Sequence, residues 1–146
     1  MIDENTTLPP VIHAWIEAFN AHDTAAILAL YENDAKLFDS GMKRSRPGRA
    51  AIERWFIARF RTMPELTYAL VSHFTSPEGD VAITWTAQGS TPRFFGWKWI
   101  ARPFRIDGVS VFTLHNGLIA QQRGYYDHIA VIEQGLPFIK WLVPRL

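Results

Sequence analysis

Apolar residues recur three and four positions apart through much of the first 62 residues, which is the spacing of an amphipathic helix. Pro10 suits the first turn of such a helix, because its missing N–H would have no partner there. Asp23 is placed to cap a second helix. The pattern predicts three helices and one short strand, in the order Pro10–His22, Thr24–Glu32, the strand Ala35–Asp39, and Arg49–Thr62.

After Pro64 the pattern changes to the alternation that is typical of β-strands. The turn His115-Asn116-Gly117 predicts a tight hairpin, because Asn-Gly supplies the positive φ angles that such a turn needs. A fourth helix and an apolar tail are expected at the C-terminal end. These segments are the strands Leu66–Thr75, Val81–Gln88, Phe104–Leu114 and Leu118–His128, the helix Ile129–Gln134, and the tail Phe138–Leu146.

Helices followed by hairpin-connected strands predict an α+β fold, in which three to four helices cover one face of a curved antiparallel sheet. Such a sheet forms a cone around a pocket that suits one small ligand. The length of 146 residues fits one domain over 1–146, with its core at about residues 8–137.

Charge and cysteine content narrow the possible partners. The 15 basic and 14 acidic residues nearly balance, and no nucleic-acid-binding motif accompanies them, so no nucleic acid partner is expected. The chain has no cysteine, which excludes disulfides and thiol nucleophiles. It shows no secretory signal and no apolar run long enough for a bilayer, so we expect a cytoplasmic protein without membrane contact.

The aromatic content is high, with six Trp, ten Phe and four Tyr. Rings at this density either pack a core or line a pocket for an apolar molecule, so a hydrophobic small-molecule substrate is expected. In the loop after the second long strand, the rings would form a lid or a partner interface. The expected pocket-lining rings are Trp15, Phe19, Tyr31, Trp55, Trp85, Phe94 and Trp97.

Two carboxylates are candidates for acid/base chemistry. Asp127 ends the last strand, and alternation places it on one face with Tyr125 and Arg123. In a ring-lined cavity, desolvation would favour its protonated form; the alternative is that it caps the following helix. Asp39 would be the second carboxylate, unless it only bonds the turn that follows it.

His73 lies on a predicted strand and is a possible polar partner in the chemistry, although a lone strand histidine more often only packs. No two histidines on a predicted helix have metal-ligand spacing, so no metal site and no cofactor are expected.

Several segments together resemble the ketosteroid isomerase-like and SnoaL-like branch of the nuclear transport factor two-like superfamily. The resemblance covers Val11–Pro137 and is carried by WIEAFNAHDTAAILALYENDAKLFDSG, RPGRAAIERWF, FRIDGVSVFTLHNGLIAQQRGYYD and EQGLP. It implies a cone-shaped, cystatin-like α+β barrel that forms homodimers. It does not select a reaction, because this fold supports several chemistries.

The resemblance also implies roles for particular positions. Asp39 stands where steroid isomerases place their general base, and their oxyanion-hole positions hold Trp15 and Ser110. Asp127 matches the acid/base aspartate of SnoaL-like cyclases. The segment Arg123–Asp127 is similar to one in limonene epoxide hydrolases, whose further Arg and Asp are absent.

These observations predict a cofactor-independent acid/base enzyme that isomerises, cyclises or eliminates from a hydrophobic ring-containing molecule. Asp127 would be the preferred acid/base group, with Asp39, Tyr125 and His73 as partners. Ser110 and Arg123 join the rings as expected substrate-binding residues. The alternatives are a non-catalytic binding or dimerisation module of the same fold, and an epoxide hydrolase-like hydration.

Overall fold

The computed structural model describes residues 7–90, 102–128 and 130. The predicted fourth helix, the apolar tail and the aromatic connection that holds Phe94 and Trp97 lie outside these residues, apart from Ala130. The described elements follow the order α1 (Pro10–Asn20), α2 (Thr24–Ala29), β1 (Tyr31–Asp39), β2 (Arg46–Pro47), α3 (Arg49–Thr62), β3 (Thr67–Thr75), β4 (Val81–Ser90), β5 (Pro103–His115) and β6 (Leu118–Tyr126).

The strands form one sheet in the order β2-β1-β6-β5-β4-β3. All neighbours pair antiparallel except β1 and β6, which run parallel with Asp39 opposite Gly124. The sheet is therefore mixed, whereas an antiparallel sheet was predicted. Parallel neighbours need a long crossover, and here α3 and four strands, β2 to β5, supply it. Because β1 and β6 run the same way, their C-terminal ends meet at one edge of the sheet.

The boundary between α2 and β1 differs from the sequence prediction. The predicted helix extends to Glu32, but α2 ends at Ala29 and Tyr31 already begins β1. Pairing with β6 explains the difference, since the N–H of Ile119 donates to the carbonyl of Leu30 at 2.8 Å. A contact made 89 positions along the chain thus overrides local helix propensity.

The core lies between the helices and the inner face of the sheet. Its centre is Phe56 of α3, which is fully buried and contacts the rings of Trp15, Phe19 and Phe60 at 5.9–6.4 Å between centroids. The predicted hairpin between β5 and β6 is confirmed, with φ of 50° at Asn116 and 76° at Gly117. Among the described residues, no helix is long and apolar enough to cross a bilayer.

Candidate functional site

A cavity of about 220 Å³, here called the main cavity, opens between α3 and the inner face of the sheet. Most of its wall is apolar, but three of its polar residues form a connected group: Tyr126 contacts Arg59 on one side and His128 on the other. The lining residues are Arg59, Met63, Leu66, Tyr68, Trp85, Ala87, Phe104, Ile106, Tyr126 and His128. An engineered cavity of roughly 150 Å³ accepts benzene, so this one has room for a ligand of one or two rings.

Asp39, the last residue of β1, lies against this polar group and is only 7% exposed. Its Oδ2 accepts a hydrogen bond from Nη2 of Arg59 at 3.2 Å, and its Oδ1 accepts one from the N–H of Gly41 at 2.9 Å. The same Nη2 lies 3.5 Å from the hydroxyl of Tyr126. We call Asp39, Arg59, Tyr126 and His128 the polar cluster.

Gly41 leaves a gap inside the polar cluster. A Cβ at this position would lie 2.9 Å from Cε1 of His128 and 3.2 Å from both Oδ1 of Asp39 and the hydroxyl of Tyr126. The lack of a side chain at Gly41 therefore lets these three groups converge. Through this convergence, the Asp39 carboxylate adjoins two residues that line the main cavity.

Arg59 is held in place by rings as well as by Asp39. Its guanidinium carbon lies 4.7 Å from the ring centroid of Trp55 and 5.8 Å from that of Tyr126, within cation–π range. Burial works against its charge, but the oxygens of Tyr68, Tyr126 and Asp39 favour it, and the balance raises the pKa of Arg59. The site therefore contains a fixed cation.

Two tyrosines of the main cavity are held in the protonated form. Burial raises the pKa of Tyr126, with Arg59 opposing this and the Asp39 carboxylate adding to it. Burial also raises the pKa of Tyr68, whose ring stacks on Trp85 at 4.2 Å. Both hydroxyls remain hydrogen-bond donors at neutral pH.

His128 completes the polar cluster on the side of β1. Its Nε2 lies 2.8 Å from Oγ of Ser40, and its ring lies 4.2 Å from that of Tyr126. Ser40 Oγ also accepts a hydrogen bond from the N–H of Tyr126 at 3.3 Å. Ser40 therefore links the ends of β1 and β6 and positions both rings.

A second cavity of about 10 Å³ lies deeper and shares Tyr68 and Trp85 with the main cavity. This volume admits about one water molecule. The expected oxyanion-hole residues Trp15 and Ser110 border it, and the N–H donor of Trp15 is already used. Nε1 of Trp15 donates to the hydroxyl of Tyr31, while Ser110 Oγ accepts from Nε1 of Trp85, both at 2.9 Å.

The structure separates Asp127 and Tyr125 from the main cavity. β6 ends at Tyr126, so Asp127 is not on the strand. It is exposed, and its Oδ1 accepts the N–H of Ala130 at 3.1 Å, as a helix cap does. Tyr125 is 45% exposed. The prediction that Asp127 is buried in a cavity is therefore wrong. The residue instead occupies the helix-capping position, which was the alternative interpretation.

Arg123 and His73 also lie apart from the polar cluster. Arg123 shares the outward face of β6 with Tyr125, because the alternate residues Gln122, Gly124 and Tyr126 face inward. His73 lies on β3 five positions beyond the cavity residue Tyr68 and pairs with Ile83.

Five of the seven predicted substrate-binding rings lie within the described residues. Trp85 lines the main cavity, and Trp55 lies beneath the guanidinium of Arg59. Trp15, Phe19 and Tyr31 are each 1% exposed and belong to the core. The hydroxyl of Tyr31 donates to Oε1 of Gln122 inside that core.

Sequence reasoning missed Arg59, Tyr68, Tyr126 and His128 as site residues. One signal for Arg59 was available, since it follows Phe56 by three positions and precedes Met63 by four, which places it on the buried stripe of α3. Arg54 and Arg61 lie on the same helix, and a run of basic residues is more typical of a helix face exposed to solvent. Among the described residues, no three His, Asp or Glu side chains gather as a metal site would require.

The buried tyrosines predict a pH dependence of stability. Burial raises the pKa of Tyr31 and of Tyr68, so the folded state keeps protons that the unfolded state releases above pH of about 10. The stabilisation is complete below that pH and is lost as the pH rises. Between pH 8 and pH 11, we expect the unfolding free energy of Tyr68→Phe to fall by about 1 kcal/mol less than that of the wild type, because the variant lacks the Tyr68 proton.

Urea unfolding of both proteins at the two pH values measures this difference. Wild-type and Tyr68→Phe chains that lose the same unfolding free energy between pH 8 and pH 11 would contradict the assignment.

The fold and site define a small α+β domain with an aromatic cavity that has an arginine in its wall, and this arginine bonds a buried carboxylate. The model of the SnoaL-like domain matches residues 12–122. The chain therefore belongs to the SnoaL-like family, and it has the ketosteroid isomerase-like, nuclear transport factor two-like fold. The search of curated proteins found no match.

Solved structures share this fold at low sequence identity. A hypothetical protein with a ketosteroid isomerase-like fold from Catenulispora acidiphila, in complex with trimethylamine, is 19% identical and has a TM-score of 0.76, over 88% of this chain and 94% of that one. A proposed polyketide cyclase from Xanthomonas campestris pv. campestris is 22% identical, with a TM-score of 0.74 over 86% and 93%. TerC, co-crystallised with polyporic acid, is 16% identical, with a TM-score of 0.72 over 86% and 95%.

Proposed function

We propose that this protein is an acid/base enzyme that moves a proton on a hydrophobic, ring-containing molecule, in an isomerisation, cyclisation or elimination. The observation that carries the proposal is the buried Asp39 carboxylate, which bonds Arg59 beside Tyr126, two residues that line the apolar main cavity. A carboxylate at such a place accepts a proton without competition from bulk water.

Asp39, Arg59 and Tyr126 of the polar cluster, together with Tyr68, have roles in this proposal. Asp39 accepts the proton from a carbon next to a carbonyl group and later returns it. The hydroxyls of Tyr126 and Tyr68 donate hydrogen bonds to the oxygen on which negative charge develops. Arg59 contributes a fixed positive charge to the same region.

The fold comparison supports the reaction class, since a proposed polyketide cyclase shares the fold. The position of Asp39 supports the base, because the resemblance places a general base at the end of the first strand. This proposal assigns the acid/base role to Asp39 and not to Asp127, because Asp127 is exposed and its carboxylate accepts a hydrogen bond from the N–H of Ala130.

A non-catalytic binding module is the second candidate. It is favoured by the ion pair itself, since a carboxylate that Arg59 and the Gly41 N–H already satisfy also suits a purely structural role.

The homodimer and the cytoplasmic location remain predictions. Sedimentation velocity would test the homodimer.

Hydrogen–deuterium exchange separates these candidates without knowledge of the natural substrate. One- and two-ring cyclic ketones, with 2-tetralone as the reference, are incubated with the protein in D₂O, and exchange next to the carbonyl is followed by NMR. We expect the wild-type protein to exceed the buffer rate. Ala87→Leu, which fills the main cavity, should reduce the rate, whereas Val109→Leu at a half-exposed position of β5 should not.

Binding of the ketones without exchange above the buffer rate would favour the binding module. Equal exchange by wild type and a correctly folded Ala87→Leu variant would remove the main cavity from the proposal.

A further inference from the structure

Arg59 has more hydrogen-bond donors than its neighbours use. Its guanidinium carries five N–H donors, and the Asp39 contact is one-point, through Nη2 alone. The other oxygen of Asp39 bonds Gly41. Within residues 7–90, 102–128 and 130, no acceptor lies within reach of the buried Nε of Arg59.

This arginine is nevertheless accessible from the main cavity. It is one of the lining residues, and 20% of its side-chain surface remains exposed. Nε itself is enclosed, so a ligand oxygen meets the part of the side chain that remains exposed in the main cavity. A hydrogen bond to this charged group is stronger in an apolar cavity than at the protein surface.

The surrounding groups favour an anionic oxygen over a neutral one. The hydroxyls of Tyr68 and Tyr126 are protonated donors, and the rest of the wall is formed by apolar residues, apart from His128. Asp39 is the one carboxylate that contacts Arg59 among the described residues, and it opposes a second anion.

We propose that the main cavity selects molecules with a one- or two-ring apolar body and one anionic oxygen, a carboxylate or a phenolate, which pairs with Arg59. This inference names the substrate class of the site in the proposed function, and it concerns binding rather than turnover. The rings contact Trp85, Phe104 and Ile106, while the anionic oxygen lies at the polar cluster.

Two isosteric probes test the selection: 2-naphthoate and its neutral analogue 2-naphthamide, titrated at pH 7.5 by calorimetry. We expect wild type to bind 2-naphthoate roughly 10-fold more tightly, which is the scale of one hydrogen bond to a charged group. Arg59→Met should bind both probes equally, with its affinity for 2-naphthamide unchanged as evidence of intact folding. Arg61→Met, at an exposed position of the same helix, should retain the preference.

Asp39→Asn separates this inference from the proposed reaction. It removes the opposing negative charge, so the preference for 2-naphthoate should increase, although the same variant should lose proton exchange. Equal affinity of wild type for the two probes, no binding of either, or a preference that survives Arg59→Met would overturn the inference. None of these results depends on whether the protein catalyses exchange.

Discussion

Replacing Asp39 with Asn is expected to lower the rate of ketone proton exchange by about 10²- to 10⁴-fold, the usual contribution of a positioned general base. The amide is nearly isosteric with the carboxylate, but it cannot accept the proton. The aromatic wall of the main cavity should keep its shape, because the rings of Trp85 and Tyr68 stack on each other. NMR-detected exchange of 2-tetralone in D₂O measures the effect.

The matched control is Asp127→Asn, which makes the same chemical change 88 positions along the chain. Because Asp127 is exposed and bonds only Ala130 among the described residues, its replacement should leave the exchange rate within a factor of about two. If instead Asp127→Asn lost activity and Asp39→Asn retained it, the original sequence prediction would be restored and our assignment rejected.

Replacing Phe56 with Ala should lower the free energy of unfolding by about 3–5 kcal/mol. Phe56 is 0% exposed, and the variant would leave a cavity between the rings of Trp15, Phe19 and Phe60. Because a domain of this kind is stable by only about 5–15 kcal/mol, this loss is a large share of the total. Thermal unfolding should show a midpoint lower by about 10–20 °C.

Ile57→Ala provides the control on the same helix. Ile57 is 49% exposed, so its truncation should change the unfolding free energy by no more than about 0.5 kcal/mol. Similar losses for the two variants would show that α3 does not anchor the core as described.

The sequence predicted the elements well where local signals are strong. The Asn116-Gly117 turn, the Asp23 cap and the limits of α3 depend on neighbouring residues, and the structure confirms them. Local signals failed at Tyr31 and at β2, where pairing with distant strands decides the conformation. Hairpin signals also cannot reveal the parallel pairing of β1 with β6.

The site was harder to predict, because alternation defines two faces of a strand but not which of them faces inward. Alternation correctly places Tyr125 and Tyr126 on opposite faces of β6. The predicted site residue, Tyr125, faces outward, whereas Tyr126 lines the main cavity. Gly124 explains the error, since a glycine on the inner face carries no hydrophobic signal, although it lies opposite Asp39. Trp15, Phe19 and Tyr31 were predicted to line the pocket, but each is 1% exposed and has no free surface for a ligand.

The parallel pairing of β1 with β6 determines when the candidate site assembles during folding. Ser40 and Tyr126 touch although they are 86 positions apart, so the chain must close a very large loop before the site exists. Contacts of such long range form slowly, after local ones. No fragment that lacks either end of this pairing can hold the site, and competence to bind a ligand should arrive with the last step of folding.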